Sequence, residues 1–84
     1  MTDVELANAA VALFEAAGLS ARSMAEWLVV RDETTVRRWR AGRLAIRGVA
    51  RRRLEWFVAL STQRRRRLIV ALVPDDADAR RFAG

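Results

Sequence analysis

The chain contains no cysteine, histidine, tyrosine or lysine among its 84 residues. Each absence removes a chemistry. Without thiols or imidazoles there are no disulfides, no thiolate or imidazole metal ligands and no histidine general base. Lysine's Schiff-base amine and tyrosine's phenolic acid are missing as well. Ser20, Ser23 and Ser61 therefore have no imidazole partner for nucleophilic catalysis. No uninterrupted apolar run approaches the roughly 18 to 20 residues that span a bilayer, and Met1-Thr2-Asp3 does not begin the basic-then-apolar pattern of a leader. A chain of 84 residues has the length of one small domain and no spare length for a separate substrate domain. These exclusions predict a protein that is not an enzyme, needs no cofactor or metal, takes no small-molecule ligand or membrane partner, and works in the cytoplasm.

What the chain does have is arginine, which accounts for all 16 of its basic residues. A G·C-rich genome explains arginine in place of lysine, but not where the charges fall. Residues 1–30 carry a net −3, residues 31–53 carry +7, residues 54–74 carry +3 and residues 75–84 carry −1, for a total of +6. Guanidinium is a planar fork of donors that matches phosphate oxygens and the guanine edge. A positive field concentrated in mid-chain favours a polyanionic partner, nucleic acid ahead of a membrane surface.

Helix signals run along the whole chain. Thr2-Asp3-Val4-Glu5 has the Thr-x-x-Glu form of a capping box. After it Val4, Ala7, Val11 and Phe14, with Leu6, Ala10, Leu13 and Ala17, recur at helical spacing until Gly18 supplies a left-handed stop. Ser20 reads as the N-cap of a short second helix to about Val29, with Met24, Ala25 and Leu28 inward and Trp27 at the margin. Asp32 caps a third, which turns Thr35, Val36 and Trp39 inward and Glu33, Thr34, Arg37, Arg38 and Arg40 outward before Ala41-Gly42-Arg43 ends it. A loop with Ile46 and Gly48 leads to a fourth helix, Val49 to Leu60, with Val49, Leu54, Trp56, Phe57 and Leu60 on one face. Ser61 caps a fifth that runs to Pro74, where helix cannot continue. No alternating pattern bounded by hairpin turns is present, so the expected fold is all-α: five helices in one compact domain over residues 1–74, followed by a polar tail at 75–84. Asp75, Asp76 and Asp78 in that tail lack the glycine and closing glutamate of a calcium loop.

The stretch from Leu19 to Gly42 carries the functional inference. It pairs two helices across a tight turn, with small Ala25 at the crossing, apolar anchors at Leu28, Val36 and Trp39, and a polar outer face on the second helix. That is a helix-turn-helix arrangement, with its core at about residues 20–42. The text Leu19-Ser20, Met24-Ala25-Glu26, Leu28, Val30 and Thr35-Val36-Arg37-Arg38-Trp39, followed by Ala41-Gly42-Arg43, resembles the lambda-repressor-like or Cro-like DNA-binding domains of phage and bacterial regulators. The match departs from that family in two ways. Val29 stands where many members have glycine, and the interval from Leu28 to Val36 is one residue longer. The resemblance implies that the helix holding Thr34 to Arg40 is a recognition helix and that Trp39 belongs to the core.

From these placements Glu33, Thr34, Arg37 and Arg38 are the candidate base-contacting residues, with Arg37 or Arg38 reading a guanine and Thr34 lying near a thymine methyl or a phosphate. Ser20, Arg22, Thr35, Arg40, Arg43, Arg47 and Arg51 are candidates for phosphate contact. Arg51, Arg52 and Arg53 cover nearly a whole helical turn and cannot all face one partner. Arg64 to Arg67 fall at a helix N-terminus, where the macrodipole disfavours cations. There they face either phosphate or acids such as Glu55, Asp75, Asp76 and Asp78. The helical spacing of Trp27, Trp39 and Trp56 marks them as core or interface residues rather than base-stacking platforms.

A single recognition helix is a small interface, so a homodimer on an inverted-repeat operator is expected. Trp56, Leu60, Leu68, Ile69, Leu72 and Val73 are its candidate contact residues. The implied function is a double-stranded DNA-binding transcriptional repressor that acts by occupying a promoter, similar in size and layout to small phage autoregulators. Two other readings stay open: an arginine-rich RNA-binding protein, and a phage-type protein-interaction inhibitor whose arginines meet an acidic protein surface.

Overall fold

A computed structural model of the protein describes residues 1 to 73. The described residues form five helices and no strand: α1 Asp3–Ala16, α2 Ala21–Leu28, α3 Glu33–Arg40, α4 Gly48–Ala59 and α5 Thr62–Leu72. The expected tail at 75–84 lies outside the described residues, as do Asp75, Asp76 and Asp78.

Local chemistry sets the helix ends where the sequence places them. The Thr2 hydroxyl accepts from the Glu5 N–H at 3.1 Å, and the Glu5 carboxylate accepts from the Thr2 N–H at 2.8 Å. Ser20, Asp32 and Ser61 cap α2, α3 and α5 by accepting from the backbone N–H of Ser23, Thr35 and Arg64. Two helices stop on a left-handed glycine. At Gly18 the turn closes with Gly18 N–H to the Glu15 carbonyl and Leu19 N–H to the Phe14 carbonyl. At Gly42 the same pair runs from Gly42 to Trp39 and from Arg43 to Arg38. Both satisfy the final carbonyls in the Schellman pattern.

The second helix ends differently. Only Ala21–Ser23 is α-helical, and Met24–Leu28 is wound as a π-helix. Val30, not Val29, takes the left-handed role, at φ 55°, and it is the only residue other than glycine with positive φ among the described residues. Val29 is buried with an ordinary helical backbone. The closing hydrogen bond runs from the Arg31 N–H to the Ala25 carbonyl at 2.8 Å, one residue further back than in the turns at Gly18 and Gly42. The widened winding turns Met24, Ala25, Leu28 and Val29 all into the core. The connection to α3 is then four residues long, Val29 to Asp32, rather than a tight turn.

The core is one cluster. It joins Leu6, Ala7, Ala10, Val11 and Phe14 of α1 to the buried side of α2, to Val36 and Trp39 of α3, to Ile46, to Ala50, Leu54 and Phe57 of α4, and to Ile69 of α5. The Phe14 and Phe57 rings meet at its centre, 5.3 Å apart and tilted by 47°. α1 and α2 are bent through 115° against each other, and no single helix among the described residues is long and apolar enough to cross a membrane.

Val49 and Trp56, expected on one face of α4 with Leu54, Phe57 and Leu60, do not share the burial of Leu54 and Phe57: each is 53% exposed. They stand two turns apart on one stripe, while Ala50, Leu54 and Phe57 form the neighbouring stripe that is buried. Both stripes are apolar at helical spacing, so periodicity alone does not choose between them.

One of the four consecutive arginines at the start of α5, Arg65, finds acceptors within the fold. Its guanidinium donates to the carbonyls of Phe57, Val58 and Leu60 at 3.4, 3.2 and 2.6 Å, and lies 5.9 Å from the centre of the Phe57 ring. A cation disfavoured at one helix N-terminus thus sits at the negative C-terminal end of another, α4. Its partners are carbonyls rather than the acids considered from the sequence.

A β-branched residue in the left-handed region carries a steric cost of about 1–2 kcal/mol, and Val30 buries little, being 62% exposed. Val30→Gly is therefore expected to raise the unfolding free energy by about 0.5–1 kcal/mol despite glycine's entropic cost. Urea denaturation checks this. A lowered midpoint would show that the backbone at this turn is not strained by the valine.

Candidate nucleic-acid interface

The buried side of α3 determines what its other side can do. Val36 and Trp39 are 1% and 3% exposed. With these two anchored in the core, helical geometry turns Glu33, Thr34, Arg37 and Arg38 to solvent, where all four are exposed. Thr34, Arg37 and Arg38 line one shallow open depression together with Ala41 and Arg43. Thr35 is half-buried beside them, its N–H held by Asp32. Three of the four base-contacting candidates therefore share one surface, which Arg43 joins from the turn that follows, while Glu33 lies to the side of it, toward Ala21 and Arg40.

Charge on this surface follows the helix dipole, with Asp32 and Glu33 at its positive end and Arg37, Arg38 and Arg40 in its last turn. The Thr35 backbone N–H, 2.7 Å from the Asp32 carboxylate, holds that carboxyl below its usual range. Glu33 lies 3.7 Å from Arg37 one turn along. The Arg38 side chain makes no hydrogen bond or ion pair to protein among the described residues, which leaves its fork the most available on the helix.

The phosphate candidates divide by what their side chains already hold. Arg43 and Arg47 are exposed, on either end of the segment that leaves α3. Arg40 donates from Nε to the Asn8 side-chain oxygen of α1 at 2.7 Å, fixing its stem while the side chain stays exposed. Arg22 is bonded to Glu26 at 3.0 Å on the surface of α2, and Ser20 is committed to its cap. The Arg51 guanidinium is bonded to Asp3 and lies 3.7 Å from Glu55, so it braces α4 against α1.

Asp3 is a residue whose importance the sequence conceals. It opens α1, yet one carboxylate oxygen accepts from the Ile46 N–H at 3.0 Å and the other from Arg51. Both ends of these bonds are more than 40 residues apart along the chain. Together they tie Ile46, next to Arg47, and the first turn of α4 to the start of α1, and hold the Asp3 carboxyl below its ordinary range, the Ile46 N–H contributing most. Arg53, expected outward with Arg51 and Arg52, also has a partner within the fold. Its guanidinium donates to the Leu28 carbonyl at 3.4 Å, tying α4 to the end of α2.

The apolar residues expected at a contact between copies are partly consumed by the monomer. Ile69 is 2% exposed and belongs to the core, so it is not available as an interface residue. Leu60, Leu68, Leu72 and Val73 are half-buried against the same core, while Trp56 is exposed. Within the apolar run from Leu68 to Val73 on α5, the large residue most exposed is Val70, at 56%.

The arrangement offers guanidinium forks and one hydroxyl on a convex helix. No group of three acidic, histidine or cysteine side chains among the described residues is placed to hold a metal ion. Compared with protein-family models, curated proteins and solved structures, the chain matches none of them.

Because Asp3 is held below its ordinary range, it contributes stability above the unfolded carboxylate value of about 3.9, and that contribution is lost as pH falls through the folded-state value. Asp32 and Glu5 act in the same direction. The thermal midpoint is expected to fall between about pH 5 and pH 2. Asp3→Asn should start lower at neutral pH and decline less steeply, as thermal scans across that range would read. Parallel curves for the two proteins would remove Asp3 from this role.

Proposed function

We propose that this chain is a helix-turn-helix protein that binds double-stranded DNA sequence-specifically, with α3 as the recognition helix in the major groove. The observation that carries the reading is the division of α3: Val36 and Trp39 are buried while Thr34, Arg37 and Arg38 are exposed together on one surface with Arg43. A helix fits the major groove, where arginine reads the guanine edge through two parallel hydrogen bonds and a threonine methyl packs on the thymine methyl. Arg38 is the first choice for the base reader, since Arg37 is shared with Glu33. Arg43 and Arg47, with Arg40 held at its base by Asn8, supply phosphate contacts that position the helix.

In this reading the protein represses transcription in the cytoplasm of a bacterial or phage-infected cell by occupying its site. Two copies on an inverted repeat supply the interface that one helix lacks. With Ile69 in the core, the surface for a second copy on α5 reduces to Val70 and the exposed edges of Leu68, Leu72 and Val73.

Selection of bound sequences from random pools of duplex DNA and duplex RNA, at near-physiological salt, tests the reading. A palindromic DNA consensus is the expected result, and enrichment of RNA alone, or of neither pool, would overturn it. On the selected site, Arg38→Ala should cost about 1–3 kcal/mol for that sequence and little elsewhere. Arg43→Ala and Arg47→Ala should weaken all duplexes alike and lower the salt dependence by about one unit per lost phosphate contact. Binding isotherms over a salt series separate the two classes, and a uniform loss for Arg38→Ala would make it a positioning residue.

A further inference from the structure

The exposed stripe of α4 has a composition that the DNA reading does not use. Val49 and Trp56 are each 53% exposed. Seven residues of helix place them about 10 Å apart on the same side, and Arg52 and Arg53, both exposed, fall between them on the intervening turn. The stripe is therefore two apolar knobs separated by a pair of cations. Glu55, the one acid on α4, stands off this line beside Arg51.

Three occupants are conceivable for such a face, and charge separates them. A second copy related by a two-fold axis brings the same patch onto itself. Arg52 and Arg53 would then approach Arg52 and Arg53 of the other copy, with no carboxylate in the stripe to relieve the repulsion. A phosphate backbone satisfies the cations but offers no apolar complement to Val49 and Trp56. An amphipathic protein helix with an apolar strip flanked by carboxylates satisfies both. Its leucines or isoleucines pack on Trp56 and Val49, and its glutamates or aspartates meet Arg52 and Arg53. Arg53 also keeps its bond to the Leu28 carbonyl, so this face adjoins the turn that sets α3.

We propose that the Val49–Trp56 stripe of α4 is a docking surface for an acidic amphipathic helix of a partner protein. The site is separate from the outward face of α3 and does not depend on the DNA reading.

The probe is a synthetic helical peptide carrying leucines at i, i+3, i+4 and i+7 with flanking glutamates, titrated against the full chain. One control keeps the glutamates and replaces the leucines by glutamine; another keeps the leucines and replaces the glutamates by lysine. Binding is read by tryptophan emission, which shifts to the blue as Trp56 is covered, and by amide chemical-shift changes along α4. Saturable binding of the first peptide alone is expected, weakened about tenfold or more by Arg52→Glu and by Val49→Ser. Both substitutions fall at exposed positions and leave the Arg53 bond to Leu28 intact. Absence of binding up to millimolar peptide, equal binding of either control, or unchanged affinity in both variants would overturn the proposal. Sedimentation in which Val49→Ser turns a dimer into a monomer would assign the stripe to a second copy instead. A parallel loss of duplex affinity in both variants would assign it to nucleic acid.

Discussion

The placement of α3 depends on how α2 ends. The Arg31 N–H reaches back to the Ala25 carbonyl at 2.8 Å, across a π-wound turn, and the chain passes through Val30 in the left-handed region before Asp32 caps α3. This geometry decides where Val36 and Trp39 enter the core. Once they are buried, the exposure of Thr34, Arg37 and Arg38 follows from helical periodicity. A π turn within a helix is uncommon, and such turns are frequently found at functional sites. Here it accompanies the small residue at the crossing, since Ala25, fully buried, supplies the accepting carbonyl.

The arginines of the described chain serve different physical ends despite their single chemistry. Arg65 closes the C-terminus of α4 with three carbonyl contacts, Arg53 reaches the end of α2, and Arg51 joins α1 to α4 through Asp3. These three hold helices together. Arg38, Arg43 and Arg47 lie on the exposed surface of α3 and the segment after it. High net charge destabilises a compact fold by self-repulsion, and committing some guanidiniums to carbonyl and carboxylate acceptors inside the fold leaves a smaller, directed positive surface.

The helix ends are where residue order was most legible. The Thr2–Glu5 box, the caps at Ser20, Asp32 and Ser61, and the stops at Gly18 and Gly42 all stand where their residue types place them. Each depends on residues within a few positions of one another, and short-range hydrogen bonding is nearly independent of the rest of the fold. The outward set on α3 was legible for a related reason: an eight-residue helix with only Val36 and Trp39 strongly apolar has one possible inner face.

Residue order alone specified five helices, the side-chain caps of four of them and the polar side of α3, because these follow from periodicity and from hydrogen bonds between near neighbours. Tertiary packing decided which of two apolar stripes on α4 is buried, so that Phe57 meets Phe14 while Trp56 faces water. It also decided that Ile69 belongs to the core, that Arg51 turns to Asp3, and that Val30 rather than Val29 bears the left-handed turn. Each of these depends on a segment distant in sequence or on the winding of the whole preceding helix, and a side chain's type does not encode which distant neighbour will reach it first.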